Sequence, residues 1–215
     1  MGWGGRLHKG GSLTRASCRA DRTPHDSEGA EARNGFRAGA GEIRTGRVAI
    51  SPYSFRPVAA DDLPRLRRWL RTPEVARWWG DPRREFELLR ADLDEPRMTL
   101  RLVSFRGRPF AYAQDYEVHV WPQAHLAHLP QSARAIDSFV GLPSMIGRGH
   151  GGAYLHLPAE RLCAEGAPLV AIDPDVDNLR ARRAYAKAGF MDDGVVATEA
   201  GSAVLMIYDP RRTAN

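Results

Sequence analysis

Four groups of residues in this 215-residue chain have types and spacings that can do chemistry. Ile146-Gly147-Arg148-Gly149-His150-Gly151 is a glycine-rich turn running into a helical pattern. Such a turn exposes unpaired backbone N–H groups, and the helix dipole favours negative charge at the same place, so the stretch reads as a phosphate cradle. Asp137 interrupts Ala135 to Gly141, an apolar run that alternates like a strand. A carboxylate in that setting is either a paired structural group or a general base whose pKa rises on desolvation. Trp78 and Trp79 point different ways from a helix, so one can fill core while the other stays available to stack on a ligand. His119, His125 and His128 share the irregular stretch from 119 to 134, which holds no cysteine or carboxylate. That composition disfavours a metal site and favours a surface loop over a cleft.

The elements that must position these groups follow from periodicity and turn chemistry. Tyr53 and Phe55 open a first strand, and Asp61, Asp62 and Pro64 start a helix that repeats Leu63, Leu66 and Leu70. Thr72-Pro73 ends it, and Glu74 to Pro82 forms a short element closed by Gly80 and Pro82. Arg83 to about Leu93 reads as a second helix with Phe86, Leu89 and Leu93 inward. Thr99 to Phe105 and Phe110 to Tyr116 form a hairpin through Arg106-Gly107-Arg108-Pro109. After the cradle comes a helix that Pro158 is expected to kink or shorten. Pro168 to Ile172 is a buried strand ending in Asp173-Pro174, a helix runs through Asn178 to Ala188, and Val195-Val196 pairs with Ala203 to Tyr208 about a Gly201 turn. Strands at both ends around a turn–helix–strand–helix unit predict an α+β or mixed α/β fold.

Composition bounds the rest. The chain has 43% hydrophobic residues and a formal net charge of +5, enough apolar content for one core. Residues 1–50 carry nine Lys/Arg against five Asp/Glu, so the remainder, 22 against 21, is nearly neutral. A basic excess confined to one end argues against nucleic acid as the partner. Residues 1–50 are Gly- and Arg-rich without helical or strand period and are expected to be a disordered extension, leaving 51–215 as the domain. Two cysteines, Cys18 and Cys163, make no disulfide framework and suit a reduced, cytoplasmic setting, and no apolar run is long enough to span a membrane.

Gly149-His150-Gly151 together with Asn178, Ala181, Tyr185, Lys187, Gly189 and Phe190 resembles the GCN5-related N-acetyltransferase (GNAT) superfamily. Its glycine loop normally opens on Gln or Arg, where this sequence has Ile146. Within the superfamily, residues 53–208 resemble aminoglycoside 6′-N-acetyltransferases through Glu74-Val-Ala-Arg-Trp-Trp-Gly80, Tyr112-Ala-Gln114, Ile136-Asp137-Ser-Phe139 and Asp173-Pro174. Hydroxamate-siderophore acetyltransferases are next, at Gly141 to Gly149. The resemblance implies a central twisted, mostly antiparallel sheet with helices on both faces and splayed strands forming an acetyl-CoA cleft, and acetyl transfer to an amine. It implies that Gly147, Arg148, Gly149, His150, Gly151 and Gly152 hold the pyrophosphate, with Ile146 and Lys187 beside it. Ser138, Phe139 and Val140 pair with pantetheine, Asn178 assists along that arm, and Tyr185 protonates the leaving thiolate. Asp137 or Asp173 takes the amine proton, and Trp78, Trp79, Tyr112 and Gln114 line the acceptor side. The implied co-substrate is acetyl-CoA, with no metal, and the acceptor is a small-molecule amine, most simply an aminoglycoside 6′-amine. An N-hydroxylysine-type amine and a non-catalytic acetyl-CoA-binding module are the alternatives, in a monomer or homodimer. Because residues 121–136 contain no acid to meet a polycation, Asp115 and Glu117 are expected to substitute in part.

Overall fold

The computed structural model describes residues 51–199 and 201–211. The expectation of a disordered extension over residues 1–50, Cys18 included, lies outside the described residues.

Local sequence sets the element ends. Strand β1 (Tyr53–Pro57) meets helix α1 (Leu63–Leu70) at Asp62. The buried Asp62 carboxylate accepts from both Arg56 Nη atoms at 2.6 and 2.7 Å, from Arg65 at 2.7 Å and from the Ala59 amide at 3.1 Å. These donors, Arg56 first, hold its pKa below the ordinary carboxylate range. Helix α2 (Pro73–Trp79) begins on a proline and ends at Gly80, whose φ of 89° is a conformation that costs glycine little. Helix α3 (Pro82–Asp92) is capped by Asp81, which accepts from the Arg83 and Arg84 amides at 3.0 and 2.9 Å. Strands β2 (Met98–Phe105) and β3 (Arg108–Glu117) turn through Arg106 and Gly107, both at positive φ, as a two-residue hairpin requires.

The second half alternates. It comprises β4 (Arg134–Val140), α4 (His150–Ala164), β5 (Val170–Ile172), α5 (Leu179–Lys187), β6 (Met191–Thr198) and β7 (Gly201–Tyr208). The seven strands form one sheet in the order β1-β2-β3-β4-β5-β7-β6, antiparallel except for β4 and β5. One apolar cluster joins α1, α2 and α3 to the sheet through Leu66, Trp69, Val75, Trp79, Leu89, Tyr112 and Phe139. The other joins α4 through Tyr154, Leu155, Ala159 and Leu162 to Phe110, Ile136 and Val204. The mixed α/β fold with helices on both faces therefore stands as the sequence implied.

Pro158 does not shorten α4, which runs unbroken over 15 residues with the proline ring buried. The expected short element at 74–82 is a full two-turn helix, and β6 extends well beyond Val195-Val196. Among the described residues no helix is long and apolar enough to cross a membrane.

Candidate active site

Strands β4 and β5 pair at only two positions, Arg134 with Val170 and Ala135 with Ala171. Beyond them the strands part, and β4 from Ile136 to Val140 keeps only its bonds to β3. Parting leaves one edge of β4 with backbone groups that require partners, and places Asp137 and Asp173 at the mouth of the gap. The cleft that opens there has a volume of about 400 Å³.

One end of the cleft is the glycine turn. Gly147 and Gly149 take φ of 75° and 82°, and Gly149 caps α4 in the left-handed conformation. The opening N–H groups of α4 are thereby left for an anion. Gly152 has another purpose: a Cβ there would sit 2.9 Å from the Ala184 carbonyl oxygen and 3.0 Å from Lys187 Cβ, so its absence lets α4 and α5 pack closely. The His150 imidazole turns away from this end, its Nδ1 2.9 Å from the Tyr53 hydroxyl and its ring against Phe105 and Phe110. Burial, then the Arg148 charge, lowers its pKa and keeps it neutral at pH 7.

The other end is built from side chains. Alternation along β4 puts Asp137 on the α1–α3 face and Ser138 on the α4 face. Gln114 Nε2 donates to Asp137 Oδ2 at 2.6 Å, and the fully buried Tyr112 hydroxyl donates to Gln114 Oε1 at 2.6 Å. Ser138 Oγ bonds the Tyr112 carbonyl and the Tyr154 hydroxyl. Trp79 is buried edge-on against Phe139 and Tyr112, whereas Trp78 is half-exposed under the Arg77 guanidinium, 4.7 Å from its ring centre. On α5, Asn178 Oδ1 accepts from the Ala181 amide, which leaves its amide nitrogen for a ligand. Burial raises the Tyr185 pKa, with Tyr154, Asp137 and Asp173 adding to the rise, so its hydroxyl keeps its proton at neutral pH.

Most of the residues singled out from sequence line this one cleft: Trp78, Trp79, Asp137, Ser138, Phe139, Val140, Ile146, Gly147, Gly149, His150, Gly151, Gly152, Asp173, Asn178, Tyr185 and Lys187. Three do not. Arg148 is exposed beside it, and Tyr112 and Gln114 stand behind Asp137 and orient its carboxylate. The expectation that Asp115 and Glu117 substitute for missing acids is corrected. Gln114 faces Asp137, so its neighbour Asp115 points through the opposite face, where it is buried against Arg134 and Arg161. Glu117 lines that same far depression.

Several residues in or beside the cleft have no site role from the sequence, although 119–134 reads as a loop over a cleft. His125 Nε2 donates to Asp173 Oδ2 at 2.9 Å, and its side chain is only 6% exposed, so the loop it belongs to folds in against the cleft. His125 thus stands behind Asp173, whereas Glu74, Tyr154, Arg180 and Arg183 line the cleft itself. The two arginines sit within a turn and a half of the Asn178 cap and were findable from the cradle's need for cations. Among the described residues no three His, Cys, Asp or Glu side chains are grouped to hold a metal ion.

A sheet opened between its two parallel strands, with a glycine turn and helix start at one end and carboxylates at the other, has the form of a cleft for two reactants. The chain belongs to the GNAT acetyltransferases: the family model described as an acetyltransferase (GNAT) domain matches residues 58–198. Aminoglycoside N(6′)-acetyltransferase type 1 of Klebsiella pneumoniae, and the protein of the same name in Serratia marcescens, are each 28% identical over 167 residues, covering 72% of this chain and 81% of the relative. The structure of AAC(6′)-Ib with paromomycin and acetyl-CoA superposes with a TM-score of 0.67 at 28% identity over 77% of this chain and 99% of the other. That of the same enzyme with coenzyme A and kanamycin gives 0.66 at 27%, over 76% and 99%.

Proposed function

We propose that this N-acetyltransferase moves the acetyl group of acetyl-CoA to a primary amine of a small polycationic molecule, an aminoglycoside-type 6′-amine. The observation that carries the reading is the pair of buttressed carboxylates at the β4/β5 gap, Asp137 held by Gln114 and Asp173 held by His125. Its donor end suits acetyl-CoA: the glycine turn and α4 amides offer the pyrophosphate its hydrogen bonds, with Arg180, Arg183 and Lys187 at hand for phosphate charge. The unmatched edge of β4 beside Ser138 to Val140 offers strand-like hydrogen bonds to the pantetheine arm.

Acetyl-CoA, when bound, supplies an activated thioester. An acceptor amine arrives as an ammonium ion at neutral pH and cannot attack until it loses a proton. Asp137 first attracts that cation and then takes its proton, directly or through water, while Gln114 and Tyr112 keep the receiving oxygen in place. Tyr185 keeps its proton until the sulfur leaves, then donates from its hydroxyl to the thiolate. Trp79 closes the floor of the acceptor side and Trp78 offers an apolar wall. A panel of amines with acetyl-CoA tests this: free thiol is expected with kanamycin or ribostamycin. Silence across aminoglycosides with turnover of an N-hydroxylysine-type amine would move the acceptor class, and tight CoA binding without turnover of any amine would make the chain a binding module.

A further inference from the structure

Glu74 is the second residue of helix α2, one residue before the buried Val75 and one turn before Trp78. Positions four apart share a helix face, and both Glu74 and Trp78 line the cleft. Glu74 Oε2 is inaccessible to solvent and has no hydrogen-bond partner. A carboxylate oxygen removed from water without a donor is costly, and a small turn of the Glu74 side chain toward the cleft it lines would let a ligand supply that donor. The chemistry left for that ligand is narrow. A carboxylate accepts hydrogen bonds and attracts positive charge, and Trp78 beside it already carries a cation over its ring in Arg77.

The remaining acids in this part of the molecule have other duties. Asp137 and Asp173 are engaged by Gln114 and His125 at the β4/β5 gap. Asp115 and Glu117 face the far side of the sheet, and residues 121–136 contain no Asp or Glu. A polycation entering the cleft therefore meets one further carboxylate, on a different element from the two at the gap.

Resting on the acetyltransferase reading above, we infer that Glu74 is a specificity residue that receives a second ammonium group of the acceptor, distinct from the amine that is acetylated. The acceptor class is thus one with at least two spaced amines, and the α2 carboxylate selects it over a monoamine of the same reactive shape.

The test compares kanamycin with 6-amino-6-deoxyglucose, which keeps a 6-amino sugar but carries one ammonium. Glu74→Gln preserves shape and removes the charge. Its KM for kanamycin is expected to rise about tenfold or more, as loss of a charge-assisted hydrogen bond implies, while the KM for the monoamine changes less than threefold and the KM for acetyl-CoA stays level. Equal changes for both acceptors, or none for either, overturn the inference. If the wild type acetylates neither, the activity reading fails by itself, and calorimetry of kanamycin binding to the CoA-loaded protein decides the Glu74 question. A tenfold weaker Kd in Glu74→Gln supports it and an equal Kd overturns it.

Discussion

The two walls of the cleft are made differently. The donor wall is largely backbone: the left-handed Gly147 and Gly149, the first amides of α4, the close passage at Gly152 and the unmatched edge of β4. The other wall is largely side chain, with Asp137 on β4, Asp173 after β5 and Glu74 and Trp78 on α2, and with His125 of the β3–β4 loop behind Asp173. A backbone site recognises what every donor of one kind shares, phosphate and an amide-bearing arm, and tolerates change around it. A side-chain site is rewritten by single substitutions. On the proposed function, one wall would fix the class of reaction and the other whose amine is used.

Substitutions on the two walls should separate cleanly. The largest effect belongs to Asp137→Asn, which keeps the bond geometry but cannot take a proton. Its kcat should fall about a hundredfold or more, as loss of a positioned base implies, while the Kd for CoA stays within twofold by calorimetry. Parallel loss of both would make Asp137 structural and blur the two walls. Next comes Gly152→Ala, whose new methyl meets the Ala184 carbonyl and Lys187. Moving α4 from α5 should cost about 1–3 kcal/mol in packing and raise the KM for acetyl-CoA roughly tenfold at an unchanged acceptor KM. The smallest is His125→Leu, which deprives Asp173 of its donor. The acceptor KM should rise about threefold to tenfold, as one hydrogen bond to a charged group implies, and His125→Gln, whose amide can donate from a similar place, should recover most of it. Failure of the Gln variant to recover would make His125 a packing residue of the loop.

The same division explains what could be read from sequence. The donor wall rests on local rules: glycines where φ is positive, a helix start after them, Asn178 as a cap and Tyr185 two turns along α5. Each of these is written within a dozen residues, so the cradle and the mixed α/β fold were legible. The acceptor wall joins residues from α2, a loop, β4 and the end of β5, and His125 reaches Asp173 across 48 positions of sequence. No periodicity reports such a meeting. Asp115 is a different case, because strand parity alone opposes it to Gln114, and pairing Gln114 with Asp137 would have sent it to the far face. Asp62 shows the converse: read from sequence only as an acid at the start of a helix, it is the hub of Arg56, Arg65 and the Ala59 amide.

The most direct test of the account is the reaction of the purified protein with acetyl-CoA and kanamycin, followed by thiol release and by NMR of the product. The account predicts saturable thiol release matched by one acetyl group on the 6′-nitrogen. Release of thiol without an acetylated 6′-amine, or no release with any aminoglycoside while CoA still binds, would contradict it.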